Sequence, residues 1–228
     1  MHPFASSTTF FGRSSCRVRS GHRSSGQELR CRALHCALEH GFGGILRLPG
    51  LPSRLGEFYH GGHVGAYLCD HLAKAGADLI ITDIDQAALE AVATRTGARI
   101  VAPDAIYDVE ADIFAPCALG AVVNEQTLDR FRFKAIAGGA NNQLIVPEMG
   151  ELLRRKGILY APDYVINGGG IINVAAEISG NYSREWVEAK LARLVETLGE
   201  VLDEALSKDT PTNVVADRIA RERIAAAK

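Results

Sequence analysis

From residue 61 onward, short apolar runs alternate with amphipathic stretches. Leu79-Ile80-Ile81-Thr82-Asp83 is a continuous apolar run ending in an acid, and the spacing predicts an Ala-rich helix over 86–95, closed by Gly97. Further short strands are predicted at 99–102, 112–116, 134–137 and 158–160, with helices between them over 124–131 and 148–156. Short apolar strands that alternate with helices read as βαβ units on a parallel sheet buried on both faces. Val187, Leu191, Leu194, Leu198, Val201 and Leu202 then recur at helical spacing, and Thr212 is placed to cap a final helix running to about residue 227. The expected class is α/β, a doubly wound, mostly parallel sheet with C-terminal helices.

Residues 1–60 do not share this pattern. All seven histidines fall between His2 and His71, and eight arginines precede the first lysine, Lys74. The first 27 residues hold seven serines and no acid, the composition of an organellar transit peptide. Their clustered His, Arg and Cys and weak apolar periodicity point instead to a misassigned start or a shifted reading frame. The expected division is an atypical segment over 1–60 and a folded domain over 61–228, with a short helix possible over 32–42. Net charge is −2, from 25 basic and 27 acidic residues, which argues against a nucleic-acid or acidic-membrane partner. The five cysteines form no CxxC pair, so a reducing cytoplasm is the expected home.

Chemistry gathers at the ends of the predicted strands. Gly62-His63-Val64-Gly65 opens an amphipathic helix whose inner face is expected to carry Tyr67, Leu68, Leu72 and Ala75. Eighteen residues after Gly65, Asp83 ends the next strand and Ile84 follows it. Glycines at a helix start let the backbone approach a pyrophosphate, and a strand-end acid at this distance accepts from ribose hydroxyls. An Asp there favours NAD, because a 2′-phosphate is repelled. The fingerprint is imperfect. His60 stands where a glycine is wanted, and the preceding run Leu55–Tyr59 makes a poor strand. Two further loops lie at strand ends, Ala115-Pro116-Cys117-Ala118-Leu119-Gly120 and Ala137-Gly138-Gly139-Ala140-Asn141-Asn142-Gln143. After the last strand, Asn167 precedes three glycines that open another helix, and its carboxamide suits pairing with that of nicotinamide.

With GHVG (62–65), TDID (82–85), APCALGAVVNEQT (115–127), AIAGGANNQL (135–144) and YAPDYVINGGGIINVA (160–175), residues 62–228 resemble the Rossmann-like, NAD-binding C-terminal domain of the Glu/Leu/Phe/Val dehydrogenase family, nearest its leucine-acting members. The resemblance implies reversible oxidative deamination: an L-amino acid, NAD⁺ and water give a 2-oxo acid, ammonium and NADH. It implies that Gly62, His63, Val64 and Gly65 line the pyrophosphate and that Asp83 and Ile84 meet the adenosine ribose. It places Cys117, Ala118 and Leu119 along the nicotinamide-side ribose, and has Asn141 and Asn167 orient the nicotinamide carboxamide and the substrate edge. Ile171 and Val174 match positions walling an aliphatic side-chain pocket, although on a buried helix they would be plain core. Gly168 stands where the family usually has Ala. Cys117 reads as a packed thiol rather than a nucleophile.

Family catalysis uses lysines from an N-terminal domain, and residues 1–60 contain none. The expected function is NAD-dependent deamination of a branched-chain amino acid, with this chain carrying the cofactor half and relatives assembling as homo-oligomers. The alternatives are an inactive NAD-binding fragment of a truncated or frameshifted gene, and a different nicotinamide enzyme on the same fold.

Overall fold

The computed structural model describes residues 54–58, 63–178, 180 and 182–227. The segment 32–42 and the Gly62 position lie outside the described residues. Six strands form one sheet: β1 (Arg54–Phe58), β2 (Asp78–Thr82), β3 (Arg99–Ile100), β4 (Ile113–Pro116), β5 (Ala135–Ile136) and β6 (Leu159–Tyr160). Their order is β3-β2-β1-β4-β5-β6 and every pairing between them is parallel. The run judged a poor strand, with its Gly56 and Glu57, is the central one. Main-chain hydrogen bonds to β2 on one side and β4 on the other define it, in register Phe58 with Thr82 and Phe58 with Pro116. The sheet therefore begins upstream of residue 61.

Parallel strands need crossovers, and helices supply them on both faces. They are α1 (His63–Lys74), α2 (Gln86–Thr96), α3 (Glu125–Leu128) and α4 (Met149–Arg155), followed by α5 (Asp163–Ile166), α6 (Gly169–Ile178), α7 (Arg184–Lys208) and α8 (Thr212–Ala226). A 3₁₀ turn at Ala105–Asp108, which periodicity does not reveal, leads into β4. Side chains alternate across a strand, and the two cores follow from that. Leu79, Ile81, Ile113, Ala135 and Leu159 pack with Leu72, Cys69, Leu89, Leu198 and Leu202 on one face. Ile80, Phe114, Ile136 and Tyr160 pack with Phe131, Phe133, Met149 and Leu153 on the other. There Phe114 stacks on Phe133 with ring centroids 4.8 Å apart. With both faces covered, β4, β5 and β6 read as unbroken apolar runs.

Several element ends differ from the periodicity. Predicted strands shorten to two residues at β3, β5 and β6, because pairing stops where the chain turns off the sheet. The helix expected over 124–131 is one turn. Asn124 caps it, its Oδ1 accepting from Gln126 N and Thr127 N while Thr127 Oγ1 accepts from Asn124 N. α2 ends as expected at Gly97, in the left-handed conformation with φ 76°. Tyr67 faces solvent, 64% exposed, and Cys69 takes the inner position beside Leu72. Thr212 is the first residue of α8 rather than its cap; Pro211 occupies the cap position, with φ already near helical.

Candidate functional site

In such sheets ligands bind beyond the carboxyl ends of the strands, where the strand order reverses. Here that point lies between β1 and β4, and α1 starts above it. Asp83 follows β2 directly and is 4% exposed; its Oδ1 accepts from Asp85 N at 2.7 Å. Asp85 in turn caps α2 through Ala88 N, so the TDID turn is held from both sides. Ile84 projects outward from this turn. Gly65 is buried, Val64 is exposed at the start of α1, and the His63 side chain is outside the described set.

Three strand-end loops on the other side of the reversal form one hydrogen-bonded unit. The loop after β4 carries half-buried Cys117 and Ala118 and exposed Leu119. It is zipped to the loop after β5 by Ala121 N to Asn142 O (2.7 Å) and Val123 N to Gln143 O (2.9 Å). Gly138 is required by close approach: a methyl group there would lie 2.3 Å from the Pro116 carbonyl oxygen. A methyl on Gly139 would lie 3.2 Å from Val64 Cγ1 and 3.9 Å from Cys117 Sγ, so this loop also borders the start of α1. Gln143 is fully buried and donates to Gly138 O (2.7 Å) and Ala140 O (2.9 Å), bracing the loop from beneath.

The third loop leaves β6. Instead of glycines opening a helix directly, the chain makes the single turn α5, which Asn167 closes by donating its N–H to Asp163 O at 2.9 Å. Gly168 breaks the path and α6 begins at Gly169. A methyl on Gly168 would sit 3.1 Å from Leu194 Cδ1, so the small residue gives α7 room beneath this loop. Across the gap, Asn167 Nδ2 donates to Asn141 Oδ1 at 2.8 Å. The fold thus brings two carboxamides together across 26 residues of chain.

Asp163 is a residue that the motif reading passed over. It is 7% exposed; Oδ1 accepts from the Tyr160 hydroxyl (2.6 Å) and Oδ2 from Asn142 N. Burial, reinforced by this carboxylate, pushes the Tyr160 phenol well above its ordinary value and keeps it a donor. Its signal in the sequence was an acid soon after an apolar strand, beyond Ala161 and Pro162. Tyr164 donates to Asp217 Oδ1 (2.8 Å) and Asn213 O (3.1 Å), tying α5 to α8.

On α6, Ile171 is 74% and Val174 49% exposed, and Ile178 continues their stripe. The plain-core reading of these residues is overturned: among the described residues nothing covers that face. No described group of His, Cys, Asp and Glu is arranged to hold a metal ion, and no described helix is long and apolar enough to cross a membrane.

Residues 68–228 match the family model of Glutamate/Leucine/Phenylalanine/Valine dehydrogenase. The chain belongs to that family. Within this dehydrogenase family it is 49% identical over 163 residues to leucine dehydrogenase of Thermoactinomyces intermedius, an alignment covering 72% of this chain and 44% of the relative. It is 44% identical over 170 residues to phenylalanine dehydrogenase of Bacillus thermotolerans, again covering 72% and 44%. The crystal structure of L-tryptophan dehydrogenase from Nostoc punctiforme superposes with a TM-score of 0.76 at 37% identity, over 88% of this chain and 59% of that one. The chain thus spans less than half the length of the curated relatives it matches.

Proposed function

We propose that this domain binds NAD(H) and forms the cofactor half of an enzyme that oxidatively deaminates a branched-chain L-amino acid to its 2-oxo acid and ammonium. The observation that carries the reading is the Asn167–Asn141 bridge at 2.8 Å. Two carboxamides brought together from separate strand ends leave one acceptor and one donor to spare, complementary to the amide of nicotinamide. The rest of the donor set fits the cofactor. Asp83 would hold the adenosine ribose and exclude a 2′-phosphate, with Ile84 beside it, and the start of α1, from His63 through Gly65, would meet the pyrophosphate together with Gly62. Cys117, Ala118 and Leu119 would flank the second ribose. When bound, the cofactor supplies the hydride acceptor for the substrate α-carbon.

The exposed stripe Ile171 and Val174 fits an aliphatic wall, which favours a branched apolar side chain over a carboxylate. A second reading, NAD(H) binding without turnover by this chain, is favoured by where its lysines lie. Among the described residues, Lys74, Lys134 and Lys156 sit at α1's end or just before β5 and β6, and Lys190 and Lys208 on α7. None is in a strand-end loop, where a substrate carboxylate would need a cation.

Fluorescence titration of the purified chain with NADH and NADPH, followed by NAD⁺ reduction with L-leucine, L-phenylalanine or L-glutamate, tests these readings. Saturable NADH binding, tighter than for NADPH, is expected; no binding of either sinks the proposal. Turnover fastest with L-leucine supports the enzyme reading, and bound NADH with no turnover supports the second.

A further inference from the structure

We propose that Asp163 is a positioning residue whose buried carboxylate latches two loops, so that Asn141 and Asn167 present one fixed edge to the nicotinamide end of the cofactor. This rests on the NAD(H) reading above. The latch has three parts. Asp163 Oδ2 takes the N–H of Asn142, the residue immediately after Asn141. Asp163 O takes the N–H of Asn167, one helical turn on. Tyr160, 2% exposed, fixes the carboxylate by donating to Oδ1 and accepting from Asp163 N at 3.1 Å.

Asn167 is thus tied to Asp163 directly and Asn141 through its neighbour Asn142, both by a single aspartate. The need for a latch is visible at Asn142, a non-glycine residue with φ 53°. Asn tolerates that left-handed conformation better than other L-residues, and a charge-assisted hydrogen bond to its N–H offsets the cost that remains. Without it the loop has a more favourable backbone to relax into, and Asn141 would swing away from Asn167. Shape and burial are preserved by Asp163→Asn, but a neutral amide then faces Tyr160 and Asn142 with one strong acceptor instead of two.

A scaffold role and a positioning role differ in what they affect. ADP-ribose shares the ribose and pyrophosphate contacts with NADH and lacks the nicotinamide. For D163N, NADH affinity is expected to fall about tenfold (~1.4 kcal/mol). ADP-ribose affinity is expected to stay within about twofold of the unsubstituted chain, equivalent to ~0.4 kcal/mol. Y160F, which removes both hydrogen bonds between the Tyr160 hydroxyl and Asp163 but keeps the carboxylate and its bond from Asn142 N, is expected to give a smaller loss of the same selectivity and keeps the test open should D163N not fold.

Because Asp163 acts through the carboxamide pair, D163N adds little to N167A, whereas independent roles would make the two losses add. Equal loss for both ligands, unchanged NADH affinity in both variants, or full additivity with N167A overturns the latch. An unsubstituted chain that binds neither ligand overturns the cofactor reading itself, and the latch with it. One that binds ADP-ribose as tightly as NADH overturns the latch and leaves the adenosine half of the reading standing.

Discussion

At the scale of single residues, the site depends on groups whose neighbours come from other parts of the chain. Asp83 was legible as a candidate ribose contact because of its distance from the glycines and its place at a strand end. Asp163 also lies shortly after a strand but was not legible as a site residue, since its partners Tyr160 and Asn142 N converge only after the sheet forms. Asp83→Ala would remove the ribose acceptor together with the charge that disfavours a 2′-phosphate. Its expected outcome is NADH affinity lowered by about tenfold or more, with NADPH affinity unchanged or improved, read by parallel titrations. Equal weakening for both ligands would show that Asp83 does not discriminate between them.

At the scale of elements, caps and close contacts decide where the periodic pattern stops. The stretch 124–131 was expected to be a helix, yet only one turn is helical, because the box that closes on Asn124 starts it and Asp129 already ends it. Asn124 also donates to Ala121 O at 2.9 Å, linking this turn to the loop that borders Asn142. Asn124→Ala is therefore expected to cost about 1–2 kcal/mol, seen as a lowered midpoint in urea unfolding. An unchanged midpoint would mean that solvent replaces the cap at no cost. α6 shows the opposite case. Its Ile171, Val174 and Ile178 satisfy the periodicity of a buried helix, and periodicity cannot say which partner covers them.

At the scale of the whole molecule, carboxylate–guanidinium and carboxylate–ammonium pairs within and between the elements around the sheet bear on the response to acid. Arg154 and Arg155 beside Glu151 hold its carboxyl down at about 2. Arg130 lowers Asp104 and Asp108, and Lys208 with Arg218 lowers Glu204. A carboxyl whose folded value lies below its unfolded one stabilises the fold above the unfolded value and loses that contribution as pH falls through the folded one. The unfolding temperature is therefore expected to be flat near neutrality and to fall between about pH 4.5 and about pH 2, followed by circular dichroism across that window. A temperature that holds steady down to the acid end would show that these exposed pairs contribute nothing.

Alternating apolar runs, helical spacing and strand-end Gly, Asp and Asn loops determined the α/β class, most elements and the family, because those signals are local and repeat along the chain. Tertiary structure alone decided that Leu55–Phe58, with its glycine and glutamate, is the central strand, since neighbouring β2 and β4 supply the hydrogen bonds that its side chains do not advertise. It likewise decided that Tyr67 faces out, that Ile171 and Val174 are uncovered, and that one buried aspartate holds two distant loops together. Burial and convergence depend on which segments meet in space, and linear spacing carries no record of that.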